Sequence, residues 1–108
     1  MRYELTDLRL FVEIALAKSL SAGASVLFIT PSAASYRIKN LEQALGTPLF
    51  DRTSRGMELT PAGETVLVHA REVLEELERM QGDVGRFIYG IKGQVRLIAN
   101  SSSLNGFI

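Results

Sequence analysis

Thr30-Pro31-Ser32-Ala33-Ala34-Ser35-Tyr36-Arg37-Ile38-Lys39-Asn40-Leu41-Glu42 is the stretch on which the fold turns. Thr30 can accept a hydrogen bond from the unsatisfied amides of a first helical turn, and Pro31 suits the first helical position, where no backbone donor is needed. Ala34, Ile38, Leu41 and Leu45 then recur at steps of four, three and four, which puts them on one stripe at 3.6 residues per turn and predicts that they are buried. Ser32, Tyr36, Lys39 and Gln43 fall opposite that stripe, with Ser35 on one flank and Arg37 on the other. Gly46, followed by Thr47-Pro48, stops the helix, since glycine accepts the left-handed cap and proline cannot continue the turn. Taken alone, this is any amphipathic surface helix. A small, polar outer face is also what a DNA groove admits, so the flanking segments have to decide.

Upstream, Thr6 is the expected N-cap of a first helix ending near Lys18, with Leu8, Phe11, Val12 and Ala15 in the i, i+3, i+4, i+7 pattern of a core-facing stripe. Ser21 is expected to cap a short second helix over residues 22–27, with Ala24 and Leu27 turned inward. Phe28 and Ile29 lead into the Thr30-Pro31 start. Two helices, a tight connection and a third helix with a polar outer face make a helix-turn-helix, here over about residues 20–39. Downstream, Leu49-Phe50-Asp51-Arg52-Thr53-Ser54-Arg55-Gly56-Met57-Glu58-Leu59 reads as a small β-hairpin, or wing. Arg52 and Arg55 lie in or beside its tip, where a guanidinium can reach a phosphate or enter a minor groove. Two solvated loop arginines are the plain alternative.

Thr60-Pro61 repeats the cap-then-proline start and opens a much longer helical pattern. Heptad-spaced series run along it: Val66, Val73, Met80 and Phe87; Leu67, Leu74 and Ile88, interrupted by Gln81; Ala70, Leu77, Val84 and Ile91. A helix from Pro61 to near Tyr89 would be about 40 Å long, more than a three-helix domain covers. A second copy of the same helix is the simplest partner for its stripe, which predicts a dimer seam; a helix lying across its own domain is the alternative. Gly82, Gly85 and Gly90 predict that the far half frays or bends. From Gly93 the alternation in Gln94-Val95-Arg96-Leu97-Ile98-Ala99 predicts a strand, followed by a loop at Asn100-Ser101-Ser102-Ser103. One strand does not fold alone, so the chain is expected to stop just inside a second domain. The reading divides it into residues 3–60, a winged helix-turn-helix; 61–91, a linker and dimerisation helix; and 92–108, the start of a truncated domain. The fold class is mainly α: three helices and a small β-hairpin wing, then a long dimerisation helix.

Among the 108 residues, twelve Lys and Arg balance twelve Asp and Glu, and there is no cysteine. Disulfides and thiolate metal sites are excluded, and a reducing cytoplasm is expected. No apolar run is long enough to span a bilayer and no secretion signal opens the chain, so no membrane partner is expected. A neutral chain is a poor electrostatic nucleic-acid binder; residues 1–60 hold seven basic and six acidic side chains. Binding to DNA would therefore rest on a few placed cations and backbone amides, doubled in a dimer. Neutrality favours the alternative, a winged-helix protein-interaction module with a helical dimerisation arm. An enzyme is not expected. His69, the single histidine, lies within the long helix without a spaced catalytic partner, and Gly90-Ile91-Lys92-Gly93 is too short for a phosphate loop.

The strings Asp7-Leu8-Arg9-Leu10-Phe11-Val12, Ser35-Tyr36-Arg37-Ile38-Lys39-Asn40-Leu41-Glu42, Leu45-Gly46, Leu49-Phe50-Asp51-Arg52 and Leu59-Thr60-Pro61-Ala62-Gly63 together resemble the amino-terminal portion of the LysR-type transcriptional regulators. The resemblance covers nearly the whole chain. It implies a winged helix-turn-helix, a linker helix that pairs subunits, and a carboxy-terminal effector-binding domain of which this chain reaches only the first strand. It implies binding to double-stranded, pseudo-palindromic operator DNA as a homodimer, with tetramers in the full-length protein and RNA polymerase as a further partner of an activator. No cofactor is implied for this stretch; an unidentified small-molecule co-inducer is implied for the full-length protein.

The implied DNA-binding residues are Thr30, Pro31, Ser32, Ser35, Tyr36, Arg37, Lys39, Arg52 and Arg55. Pro31 stands where many members have Gln, and Ser32 where they have Pro. Ser35 matches a near-universal Ser, and Tyr36 takes a position usually held by Arg or His. Lys39 is assigned to phosphate, Arg52 matches the Arg after the Leu-Phe pair, and Arg55 a wing Arg near the minor groove. The implied dimerisation set is Val66, Leu67, Ala70, Val73, Leu74, Leu77, Met80, Val84, Phe87 and Ile88. Ser101, Ser102 and Ser103 resemble the first loop of the effector domain, which holds a polar group of the ligand. Gly23 departs from the usual Ala, which predicts a softer second helix.

Overall fold

The computed structural model describes residues 2–92. In chain order they form α1 (Leu5–Ala17), α2 (Leu20–Val26), α3 (Pro31–Leu45), the strands β1 (Phe50–Thr53) and β2 (Gly56–Leu59), and α4 (Pro61–Lys92). They fall into two units, the first ending at Glu72 and the second starting at Val73. The strand expected over residues 94–99 and the loop with Ser101, Ser102 and Ser103 lie outside the described residues.

Helix starts follow local chemistry, though not always at the expected residue. α3 starts as expected: the Thr30 hydroxyl accepts from the Ala33 amide at 3.2 Å, Pro31 takes the first helical position, and Gly46 closes the helix at φ 85°. Such a cap contributes about 1 kcal/mol. α1 differs, since its N-cap is Glu4 and not Thr6. Asp7 Oδ2 accepts from the Glu4 amide at 2.9 Å, so the carboxylate at the third helical position ties down the entry. α2 also starts earlier than expected. Lys18 turns the chain in one left-handed residue (φ 56°), leaving Ser19, and not Ser21, as the extended residue whose hydroxyl accepts from the Ala22 amide at 3.1 Å.

The core of the first unit gathers Leu10, Phe11 and Ile14 of α1, Ala24 of α2, Ala34, Ile38 and Leu41 of α3, Leu49, Phe50 and Met57 at the wing, and Ala70 of α4. The Phe11 and Phe50 rings meet at 5.1 Å, tilted by 44°, which joins α1 to the wing. The α1 stripe is thus wider than the sequence pattern: Leu8 and Ala15 are half-buried, while Leu10 and Ile14 go fully inside. At the far end of α3, Leu45, the last helical residue before the Gly46 cap, is exposed and not buried as its place on the stripe predicts.

Gly23 does more than soften α2. A Cβ there would lie 2.5 Å from the Cα of Ile14, so the missing side chain is what allows α1 and α2 to approach. In the connection after α2, Phe28 adopts φ 57° and is 96% exposed, a bulky residue in a conformation that favours glycine.

β1 and β2 pair antiparallel as expected, Phe50 opposite Leu59 and Thr53 opposite Gly56, around the two-residue tip Ser54-Arg55. Gly56 has φ 110°, and a Cβ on it would meet the Lys18 carbonyl at 2.4 Å; that carbonyl accepts from the Met57 amide at 3.2 Å. The wing is therefore fastened to the end of α1. Its other end is fastened to α4: the Thr60 hydroxyl donates to the Pro48 carbonyl at 2.8 Å and accepts from the Gly63 amide at 2.9 Å.

Within the first unit, Val66 and Leu67 of α4 are half-buried and Ala70 is 2% exposed. Ala70 is thereby removed from the expected dimer seam, since a side chain already covered by its own domain has no surface left to give. From Val73 onward the stripe is open: Val73, Met80, Val84, Phe87 and Ile88 are exposed and Leu74 and Leu77 half-buried. The helix runs through Gly82, Gly85 and Gly90 to Lys92. Ion pairs at i, i+3 between Glu76 and Arg79 and between Asp83 and Arg86 (2.5 Å) brace it, and the Glu76 hydrogen bond raises the Arg79 pKa above its ordinary value. Among the described residues no helix is long and apolar enough to cross a membrane.

Candidate nucleic-acid interface

The outer face of α3 is built by subtraction. Once Ala34, Ile38 and Leu41 are fixed inside, helical geometry leaves Pro31, Ser32, Tyr36, Lys39 and Gln43 outside, and all five are exposed. Tyr36 is the largest, 69% exposed and free to offer both a ring edge and a hydroxyl. Ser35 sits half-buried on the flank toward the wing. Thr30 commits its oxygen lone pair to the Ala33 amide but keeps its hydroxyl hydrogen to donate outward.

The wing supplies the second part of the surface. A small cleft of about 70 Å³ is lined by Ser35, Lys39 and Glu42 of α3 together with Phe50, Arg52 and Met57 of the wing and Leu20 of α2. Ser35, Lys39 and Arg52, predicted from separate stretches of sequence, thus share one place in the fold. Arg55 projects from the tip, where Thr53 Oγ1 accepts from its amide at 3.1 Å; its guanidinium lies 3.3 Å from Glu58 and stays largely exposed. An exposed pair of that kind contributes little and exchanges readily for a phosphate.

Two placements differ from the sequence expectation. Arg37 does not stand free: its Nη1 donates to Asp7 Oδ1 at 2.7 Å and lies 3.8 Å from Glu4 Oε1, so the third helix is tied to the start of the first. Glu42 had no assigned role, yet one of its oxygens, Oε2, accepts from the Leu49 amide at 2.7 Å and the Phe50 amide at 3.2 Å. Hydrogen bonds to a charged acceptor contribute about 1.5–3 kcal/mol each, and these two set where the wing leaves α3. The signal for Glu42 was its place beside Leu41 one turn before the stop at Gly46, on the side of the helix the wing must cover.

The cations therefore sort by freedom. Lys39 and Arg52 are exposed and, among the described residues, have no carboxylate partner; Arg55 is loosely held; Arg37 is clamped. Uncommitted positive charge beside a helix face of small polar groups is suited to a polyanion with readable edges. Other chemistry is poorly served. His69 is exposed on α4 with Nδ1 4.0 Å from Glu72, and among the described residues no group of His, Asp and Glu could hold a metal ion.

This arrangement matches known proteins. The family described as bacterial regulatory helix-turn-helix protein, lysR family, matches residues 5–64. The chain is 42% identical over 94 residues to the HTH-type transcriptional activator AllS of Klebsiella pneumoniae, covering 87% of this chain and 35% of that protein. It is 37% identical over 91 residues to the HTH-type transcriptional activator TtdR of Escherichia coli K12, covering 84% of this chain and 29% of the other. The chain thus spans about a third of the length of the curated relatives it matches. Among solved structures, the BenM DBD bound to benA site 1 DNA superposes with a TM-score of 0.76 at 33% identity, covering 81% of this chain and 98% of that one. A CbnR DBD–DNA complex gives 0.71 at 35% identity, covering 79% and 97%.

Proposed function

The chain belongs to the lysR family of bacterial regulatory helix-turn-helix proteins, and from that membership we propose that it is the DNA-binding portion of a sequence-specific transcriptional regulator acting in the cytoplasm. The observation that carries the reading is the joint surface of α3 and the wing, with Ser35, Lys39 and Arg52 around one cleft. α3 enters the major groove, with Ser32, Ser35 and Tyr36 toward base edges; Lys39 and Arg52 meet phosphates, and Arg55 reaches the adjacent backbone or minor groove. The open apolar stripe on α4 from Val73 supports pairing with a second copy, which presents two such surfaces to the half-sites of a pseudo-palindromic operator. In a full-length protein, a small-molecule effector is sensed through the segment that includes Ser101, Ser102 and Ser103, and RNA polymerase is a partner only if that protein is an activator.

The test is selection of bound duplexes from a random pool, followed by binding at several salt concentrations. Arg55→Ala weakens binding on every duplex and lowers the salt slope by about one, whereas Tyr36→Ala costs about 1–3 kcal/mol at particular base positions and leaves the slope unchanged. A chain that enriches no duplex and shows no salt-dependent complex is instead the protein-interaction module that its neutral charge allows.

A further inference from the structure

Arg37 lies next to Tyr36 on α3 and carries a full positive charge, yet its side chain is 37% exposed and its guanidinium turns away from the free face toward the start of α1. Asp7, which receives it, is 6% exposed. Both oxygens of that carboxylate are used: Oδ2 accepts from the Glu4 amide at 2.9 Å and fixes the entry of α1, while Oδ1 accepts from Arg37 at 2.7 Å and fixes the middle of α3. For Arg37 to leave Asp7 for a phosphate, the buried carboxylate would keep the Glu4 amide but lose its cationic partner, a larger cost than an exposed ionic contact returns.

We propose that Arg37 is a positioning residue: clamped by Asp7, it sets the roll of α3 about its own axis and so the direction in which Tyr36 is presented, and it makes no contact with DNA. The proposal rests on the DNA-binding reading above. Tyr36, Arg37 and Asn40 of α3 share a cleft of about 520 Å³ with Tyr3, Glu4 and Asp7, so the ring of Tyr36 stands at the rim of the clamp. A helix is a rigid body at this scale, and a change of roll moves every group on its outer face together. Losing the clamp alters which bases are favoured. It does not alter how many phosphates are neutralised.

The experiment uses the 108-residue chain and duplexes that the unaltered chain enriches from a random pool, with binding read by fluorescence anisotropy across a potassium chloride series and folding checked by thermal melting. Arg37→Gln is expected to bind about tenfold more weakly, a loss of about 1.4 kcal/mol of binding free energy, with an unchanged salt slope and a shifted base preference on reselection. Asp7→Asn is expected to give the same loss, and the double variant no more than the worse single one. Arg37→Lys, which keeps a charge for Asp7, is expected to restore most of the affinity, and guards against a loss caused by misfolding. A salt slope that falls by about one in Arg37→Gln, together with tighter binding in Asp7→Asn, assigns Arg37 to a phosphate and overturns the proposal while leaving the DNA-binding reading intact. An unaltered chain that enriches no duplex overturns both.

Discussion

α3 and α4 open on the same Thr-Pro pair and are both amphipathic, but they leave opposite sides uncovered. In α3 the apolar stripe of Ala34, Ile38 and Leu41 is buried and the polar face is open; in α4 from Val73 onward, Met80, Val84, Phe87 and Ile88 are exposed. An uncovered polar face costs nothing in water, so α3 is complete as it stands and its surface is available to a polar ligand. An exposed apolar stripe is unfavourable in water, and on the proposed reading a second copy of α4 covers it. Identical helix starts thus say where a helix begins and nothing about what it is for.

The largest effect is expected from breaking the open side of α4. Met80→Glu combined with Phe87→Glu should yield a monomer by sedimentation and weaken binding to a two-half-site operator about 100-fold, the loss expected when two linked contacts become independent. A variant that stays dimeric at the same concentration would place the seam elsewhere. A smaller effect tests the closed side, through the scaffold that holds α3. Gly23→Ala should destabilise the chain by about 2 kcal/mol in urea denaturation, although Ala is the better helix former, because the added methyl meets the Ile14 backbone. A more stable variant would mean that α1 retreats freely. Smallest is the turn into α3, where Phe28→Gly should stabilise by about 1 kcal/mol on relief of the left-handed φ. Unchanged stability would point to a contact for the ring that the exposed position conceals.

What sequence reading reached was set by how far apart the interacting groups lie. Thr30, Pro31 and Gly46 act within one helical turn of themselves, and the third helix came out with its bounds and buried stripe, Leu45 excepted. The wing followed equally from its short runs and its Ser-Arg-Gly tip. The first two helix starts differ from the hydroxyl caps expected at Thr6 and Ser21, because Asp7 holds the first entry and the one-residue turn at Lys18 moves the second to Ser19. Of the candidate DNA-binding residues, those exposed by periodicity were legible. The Arg37 clamp is not legible because its partner is thirty residues away, nor is the role of Glu42, which acts seven and eight residues ahead, across the helix stop. Gly23 shows the same limit: one residue type read as backbone freedom alone hid a packing contact between two helices.

By holding both the Leu49 and Phe50 amides on a single oxygen, Glu42 makes the spacing between the third helix and Arg52 a fixed ruler. A ruler cannot stretch to suit its object. Any duplex whose groove and flanking phosphates do not match that interval has to bend or twist to meet it, at a cost that varies with its base steps. On the proposed DNA-binding reading, discrimination by such a rigid surface extends to base pairs that no side chain touches.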